Sequence, residues 1–324
     1  MSILSKIILH DHNQDGVDRR GFLTCMAWAG TGMLYAAAGG AVASRILQPL
    51  NARAGDSATP TGADFTFVQI SDSHIGFSKE ANKDVLGTLK EAVAKINALP
   101  ATPDFVLHTG DLTHLSEAEE FDTLEQILKS CKAKQVFYVP GEHDVLNDNG
   151  KQYLERFGKG TKGSGWFSFN HKGTHFVGLN NVMNIREGGL GQLGDQQLEW
   201  LEDDLKAISS STPVVLFAHI PLWMAYPQWG WGTSDGERAL GYLKRFGSIT
   251  VLNGHIHQVL KKTEGNATFH TGMSTAFPQP APGTAPKPGP MKVDAGKLRS
   301  VLGITEVNYS EGQHSLAVVD DRLG

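Results

Sequence analysis

Five short apolar runs, Phe65–Ile70, 105–107, 136–139, Val214–Phe217 and 249–252, recur along the chain, and each ends in a polar island. Apolar stretches this short and this continuous read as strands buried on both faces, as in parallel sheets. Residues 82–99 and 116–132 carry helical spacing between the first three runs, which gives an α/β chain of βαβ units. Aromatic and polar residues alternate over 166–180 around Lys172-Gly173, so this segment predicts a hairpin that widens the sheet or opens a second one. Residues 194–208 predict an amphipathic helix with Leu198, Leu201 and Leu205 on one face. Residues 278–290, rich in Pro and Gly, predict an irregular arm before the last strands, such as 315–319.

The islands carry the chemistry: Asp72-Ser73-His74, Gly110-Asp111, Gly141-Glu142-His143-Asp144, Ala218-His219 and Gly254-His255-Ile256-His257. Parallel strands present their sites at their carboxyl ends, so the five would converge there. Asp72 and His74 flank one residue, and on an extended strand end both side chains point to the same side; His255 and His257 repeat that spacing. Gly110 lets the backbone turn sharply and frees the Asp111 carboxylate to bridge two ions. Taken singly these signals are weak: Gly-Asp is common in loops, and an isolated His219 reads as a core histidine. Taken together they supply carboxylates and imidazoles for two metal ions, a donor mixture that suits iron, zinc or manganese.

In this order and after five strands, the islands resemble the calcineurin-like metallophosphoesterase superfamily over residues 65–260. The resemblance implies a four-layer α/β/β/α sandwich. Residue by residue, it makes Asp72, His74, Asp111 and His257 ligands of one ion and Asp111, Glu142, His219 and His255 ligands of the other, with Asp111 bridging. A hydroxide shared by the ions would attack phosphorus in line. His143 would stabilise or protonate the departing oxygen, and Asp144 would orient His143. Two cations about 3.5–4 Å apart would screen the ester's charge and bring the pKa of bound water towards neutrality. Gly191, Leu193, Trp200-Leu201 and Leu205 are also similar to the helix of bacterial class III cyclic-nucleotide phosphodiesterases and their relatives.

Three features depart from the family pattern or extend it. Position 142 normally holds asparagine; Glu142 adds a negative charge, which lowers the formal charge of a centre with two divalent ions from +2 to +1. That favours monoanionic diesters, or a trivalent iron that restores the charge, unless Glu142 swings out to solvent. His114 stands where purple acid phosphatases carry a tyrosine ligand, and it reads either as a substrate or metal contact or as a loop histidine at a helix start. Trp223, Trp229 and Trp231 follow His219 in a segment without period, either a substrate-facing wall or a plug over the core. The remaining histidines of that domain, His108, His171, His175, His270 and His314, follow no motif and read as structural.

Composition narrows the partners. The 324 residues are 40% hydrophobic and 19% charged, with a net charge of −5, which describes a globular chain and argues against stable nucleic-acid binding through a general basic surface. Residues 1–54 read as a separate segment. Asp18-Arg19-Arg20-Gly21-Phe22-Leu23 resembles a twin-arginine export signal, an uncharged stretch follows to Ser44, and Ala52-Arg53-Ala54 offers a small-x-small cleavage site. Its removal would take away five bases (Lys6, Arg19, Arg20, Arg45, Arg53) and three acids (Asp11, Asp15, Asp18), leaving −7 and Cys131 as the only cysteine. The expectation is a periplasmic protein of residues 55–324, exported folded by the twin-arginine translocase. An uncleaved membrane anchor is the alternative. The leading function is a dinuclear-metal phosphodiesterase acting on a phosphate-ester small molecule or nucleotide. A phosphomonoesterase or nucleotidase on the same site, and a binding scaffold of the same fold, are the alternatives.

Overall fold

The structure is a computed structural model and describes residues 33–38, 41–46, 64–310 and 316–324. The chain divides into two units, residues 1–59 and 60–324. In the first, strand β1 (Met33–Ala38) pairs antiparallel with β2 (Ala41–Ile46). The twin-arginine motif, the Ala52-Arg53-Ala54 site and His314 lie outside the described residues. No helix among the described residues is long and apolar enough to cross a membrane.

The second unit contains two sheets. Strands β3 (Phe65–Ile70), β4 (Phe105–His108) and β5 (Val136–Tyr138) run parallel, and β12 (Gly303–Tyr309) and β13 (Ala317–Arg322) return antiparallel beyond β3, in the order β13-β12-β3-β4-β5. The hairpin β6 (Phe167–His171) and β7 (Thr174–Gly178) opens the second sheet rather than widening the first. There it joins β8 (Val214–Phe217), β9 (Ile249–Asn253), β10 (Lys261–Glu264) and β11 (Ala267–Thr271) in the order β10-β11-β9-β8-β7-β6. β7, β8, β9 and β11 are parallel. Lys172 and Gly173 both take positive φ, the conformation a two-residue hairpin turn requires.

Alternation along the strands builds four layers. Phe65, Phe67, Phe105 and Leu107 of the first sheet meet Phe176, Val215, Phe217 and Leu252 of the second in a core between the sheets. Val68, Ile70 and Val106 point the other way, onto helices α1 (Val85–Asn97) and α2 (Ala118–Leu128). Val177, Val214, Leu216 and Val251 point onto α4 (Asp195–Lys206) and α5 (Gly236–Leu243), so helices flank both sheets; a short α3 (Lys151–Phe157) packs at the edge of the first core. α1 begins where Asp84 accepts from the Gly87 amide at 2.8 Å, and α2 where Glu120 folds back to accept from the Leu115 and Glu117 amides at 2.8 and 3.3 Å. Both helices are two to four residues shorter at each end than expected, and these caps set their starts. The helix expected over 194–208 is α4, with Leu198, Leu201 and Leu205 buried.

Candidate metal centre

All five islands leave the carboxyl ends of parallel strands, three from the first sheet and two from the second. Among the candidate ligands, Asp72, His74, Asp111, His255 and His257 hold positive φ between 42° and 70°, a sparsely populated region for residues with side chains. Backbone bonds lock this geometry: the Asp72 amide donates to the Gly110 carbonyl at 3.0 Å and the His74 amide to the Asp111 carbonyl at 2.9 Å. Gly110 is required for space as well as for its φ of 95°, since a Cβ there would lie 2.5 Å from His219 Nδ1 and 2.8 Å from the Gly141 amide. A Cβ on Gly254 would overlap Ser71 Oγ, so Ser71, Asp72 and the His255 loop pack glycine-tight.

The side chains gather into two clusters, Asp72, His74, Asp111 and His257 in one and Glu142, His219 and His255 in the other. Asp111 Oδ2 stands between them, 3.4 Å from His74 Nε2 and 3.4 Å from His219 Nε2. In the first cluster Asp72 Oδ1 lies 3.2 Å from His257 Nε2, which faces His74 Nε2 at 3.2 Å. In the second, the two Glu142 oxygens lie 2.9 Å from His219 Nε2 and 2.9 Å from His255 Nδ1. Glu142 therefore turns inward, and the alternative of a side chain swung into solvent does not hold.

The surrounding bonds free the metal-facing atoms. His219 Nδ1 pairs with the Thr109 carbonyl at 2.7 Å and His257 Nδ1 with the Phe277 carbonyl at 2.6 Å, which aims each Nε2 inward. Glu142 Oε2, His219 Nε2 and His255 Nδ1 converge, buried and with no hydrogen-bond partner outside the centre among the described residues. Ligand atoms brought together in this way fit a cation, and the donor set of carboxylate and imidazole fits iron, zinc or manganese.

Electrostatics separate the clusters further. Burial and neighbouring imidazoles push His74 well below its ordinary value. Burial would also depress His219, but Asp111 and Glu142 raise it well above 6.5. Asp72 and Glu142 resist burial because adjacent imidazoles hold their carboxyls down, Asp72 to about 2.

His143 belongs to neither cluster's core. Its amide donates to Asp111 Oδ1 at 2.9 Å, and its Nδ1 meets the His114 carbonyl at 2.7 Å, leaving Nε2 for other work. Burial opposes its charge, but Asp111, Glu142, the His114 carbonyl and Asp144 raise its pKa. The expected orienting role of Asp144 is corrected here. Its carboxylate accepts from the amides of Leu112 (3.1 Å), Thr113 (2.8 Å) and Gly141 (2.8 Å) and from the Thr113 hydroxyl (2.9 Å). Asp144 thus pins the loop after β4 to the loop after β5, and the His114 carbonyl sets the His143 ring. Burial and the Asp111 charge push Asp144 up to about 7 despite those donors.

His114 lies at the centre as well as at a helix start. Its ring stacks on His143 with centroids 4.9 Å apart and planes 16° apart, and its Nδ1 comes within 3.5 Å of His74 Nδ1. Burial and His143 lower it to about 4, so it is neutral at pH 7. The tryptophan segment behaves differently. Trp231 is buried, Trp223 sits edge-on to Phe269 at 5.1 Å in the helix-side core of the second sheet, and Trp229 stands edge-on to Trp231 at 5.1 Å. These contacts make Trp223 a plug over that core, while Trp231 is buried beside Tyr226 and Trp229.

Sequence reasoning missed the strand-to-arm segment 274–279. Ser274 Oγ donates to the Asp72 carbonyl at 2.8 Å, Phe277 stacks on His74 at 4.8 Å, and Gln279 Nε2 donates to the His255 carbonyl at 2.9 Å. The signal available was the small polar run Thr271-Gly272-Met273-Ser274-Thr275, which has no motif spacing. The histidines read as structural do pair away from the centre: His175 with Asp204 and His270 with Asp320, at 2.8 and 2.9 Å. His108 is the exception, reaching Ser73 Oγ beside the ligands at 2.8 Å.

The chain matches the family described as Calcineurin-like phosphoesterase over residues 65–259. It is 28% identical over 222 residues to serine/threonine-protein phosphatase CPPED1 of Danio rerio, covering 60% of this chain and 70% of that one. It is 23% identical over 221 residues to the 3',5'-cyclic-nucleotide phosphodiesterase alr5338 of a Nostoc species, covering 65% and 79%. A probable glycerophosphodiester phosphodiesterase GpdQ of Arcobacter nitrofigilis shares 27% over 207 residues, covering 59% and 71%. In fold, it resembles a dimetal phosphatase from Danio rerio with a TM-score of 0.56 and 17% identity, covering 80% of this chain and 96% of that one. The chain belongs to the calcineurin-like phosphoesterase family, whose members are hydrolases acting on phosphoesters.

Proposed function

We propose that the chain is a phosphodiesterase that works with two metal ions, exported with its N-terminal segment as a twin-arginine signal. The observation that carries the two-ion reading is Asp111 Oδ2, 3.4 Å from an imidazole nitrogen of each cluster and so positioned to serve both. Asp72, His74, Asp111 and His257 would hold one ion, and Asp111, Glu142, His219 and His255 the other, with iron, zinc and manganese all compatible. Bound there, the ions supply charge neutralisation for the phosphoester and an acidified water.

The protein's own groups do the rest. His143, its ring fixed by the His114 carbonyl and its pKa raised by Asp111 and Glu142, holds a proton at Nε2 for the departing oxygen. His114 stays neutral and supports the ring from its face. Glu142 adds a third carboxylate to the centre, which makes a dianionic monoester a poorer guest than a monoanionic diester. Two relatives bear phosphodiesterase names, in keeping with this preference. The second reading, a phosphomonoesterase, is favoured by the phosphatase name of the Danio rerio relative.

The test combines metal analysis of protein purified from an exporting host with assays on a nitrophenyl monoester, a bis-nitrophenyl diester and cyclic AMP. About two ions per chain with the diester turned over fastest is the expected result. A preference for the monoester establishes the second reading, and inactivity with both sites filled establishes a binding scaffold.

A further inference from the structure

A ligand imidazole has a second nitrogen, and the partner of that nitrogen sets the ring's tautomer and aim. For His219 and His257 the partner is a backbone carbonyl, of Thr109 at 2.7 Å and of Phe277 at 2.6 Å. His74 departs from this arrangement. Its Nε2 turns to the ligand side, 3.4 Å from Asp111 Oδ2 and 3.2 Å from His257 Nε2. Among the described residues, the one hydrogen-bond partner of its Nδ1 is another imidazole, His114 Nδ1 at 3.5 Å.

Two imidazoles share such a contact only if one donates and the other accepts. With the Nε2 lone pair kept for the centre, His74 carries its proton at Nδ1, so His114 accepts through Nδ1 and carries its own proton at Nε2. The contact is long for an N–H···N bond, and its neighbours decide whether it persists. They hold both rings. Phe277 stacks on His74 at 4.8 Å, and Phe77 sits edge-on to His114 at 5.2 Å. The His114 amide donates to the Ile75 carbonyl at 2.8 Å, and a bridge between Ile75 and Thr113 keeps the two loops in register.

We propose that His114 is a positioning residue for the first cluster, its ring nitrogen fixing the tautomer and aim of His74. The proposal rests on the reading of Asp72, His74, Asp111 and His257 as ligands of one ion. The same residue holds the proton donor, since its carbonyl lies 2.7 Å from His143 Nδ1. One residue thereby spaces a metal ligand from the group that meets the leaving oxygen. Only the hold on His74 uses a side-chain nitrogen; the carbonyl is present whatever side chain stands at 114, so substitution separates the two.

The test uses the full chain, stripped of metal and titrated with zinc against a chromophoric chelator. The two sites are told apart with His257→Ala, which removes a ligand of the first cluster, and His255→Ala, which removes one of the second. His114→Ala and His114→Phe should each weaken zinc in the first cluster about tenfold or more, the usual cost of removing the outer partner of a ligand histidine, with the second cluster's affinity unchanged. His114→Asn, whose Oδ1 takes the place of the ring Nδ1, should keep most of the affinity. That rescue distinguishes an acceptor from a ring that merely fills space, because phenylalanine can stack on His143 but offers no acceptor; the asparagine and phenylalanine variants decide the outcome even where alanine fails to fold. Phenylalanine holding zinc as tightly as asparagine, or a loss of equal size at both sites, overturns the inference and leaves the two-ion reading standing. Fewer than two zinc ions bound by the unmodified protein overturns both.

Discussion

The two ligand clusters share one oxygen and little else. Asp72, His74, Asp111 and His257 are all buried, whereas Glu142 and His255 of the second cluster are partly exposed. In the first cluster the protein has already lowered an imidazole's affinity for protons; in the second, the carboxylates hold His219 protonated until something better arrives. A metal ion entering the deep cluster meets a neutral His74, while one entering the open cluster must displace a proton from His219. Each set offers two carboxylates and two imidazoles, so the difference teaches that burial and the placement of neighbouring charges, rather than ligand type, set how much each ion's binding depends on pH.

The strongest way to break this comparison is to remove the shared oxygen. Asp111→Asn should lower turnover roughly a thousandfold or more and bring bound metal below one ion per chain. Two ions retained on elemental analysis would show that each cluster is self-sufficient. His143→Ala should cost roughly a hundredfold in kcat with both ions still bound, since a positioned proton donor is worth about that much; loss of an ion would make His143 a ligand.

The pH dependence sharpens the contrast. His219 has a folded pKa raised above its unfolded 6.5, so the metal-free protein keeps that stabilisation below 6.5 and loses it as pH rises. Metal affinity runs the opposite way, rising about tenfold per pH unit where one proton must leave the open cluster, while the deep cluster, with His74 lowered, changes less. Titrations at pH 6, 7 and 8 should show one steep and one shallow site, and the Tm gap between loaded and metal-free protein should widen with pH. Two parallel slopes would dissolve the distinction. The smallest effect is expected from Glu142→Asn, which should raise the ratio of monoester to diester turnover several-fold by returning one unit of positive charge; an unchanged ratio removes Glu142 from substrate choice.

Much of this was legible in the chain because strand-end ligands need little context. A run such as Val214–Phe217 is apolar on both faces and stops at His219, so position along the chain fixes position in the sheet. The inward turn of Glu142 was undecided because it depends on His219 and His255, which arrive from the other sheet. Asp144 misled for a similar reason: adjacency to His143 suggested a direct bond, but the short helical turn over Glu142–Asp144 aims the carboxylate at backbone amides of the β4 loop. Segment 274–279 was invisible because Ser274, Phe277 and Gln279 act on backbone carbonyls and on a ligand ring, contacts that require no motif spacing. The division of strands between two sheets came from the family resemblance; the local pattern left the hairpin free to join either.

One consequence of the topology concerns where the molecule can be cut. β12 lies directly beside β3, pairing Thr305 with Gln69 through Tyr309 with Phe65, although over 230 residues of chain separate the two strands. A fragment trimmed to residues 65–259 would carry all seven ligand candidates and yet leave the Asp72 strand as a bare hydrogen-bonding edge, the kind of surface on which chains associate. It would also lose the Ser274 hydroxyl and the Phe277 carbonyl that hold Asp72 and His257 from behind. The ligand inventory is therefore finished by residue 257, but the scaffold that keeps it soluble and aimed closes only when the chain returns to its own first strand.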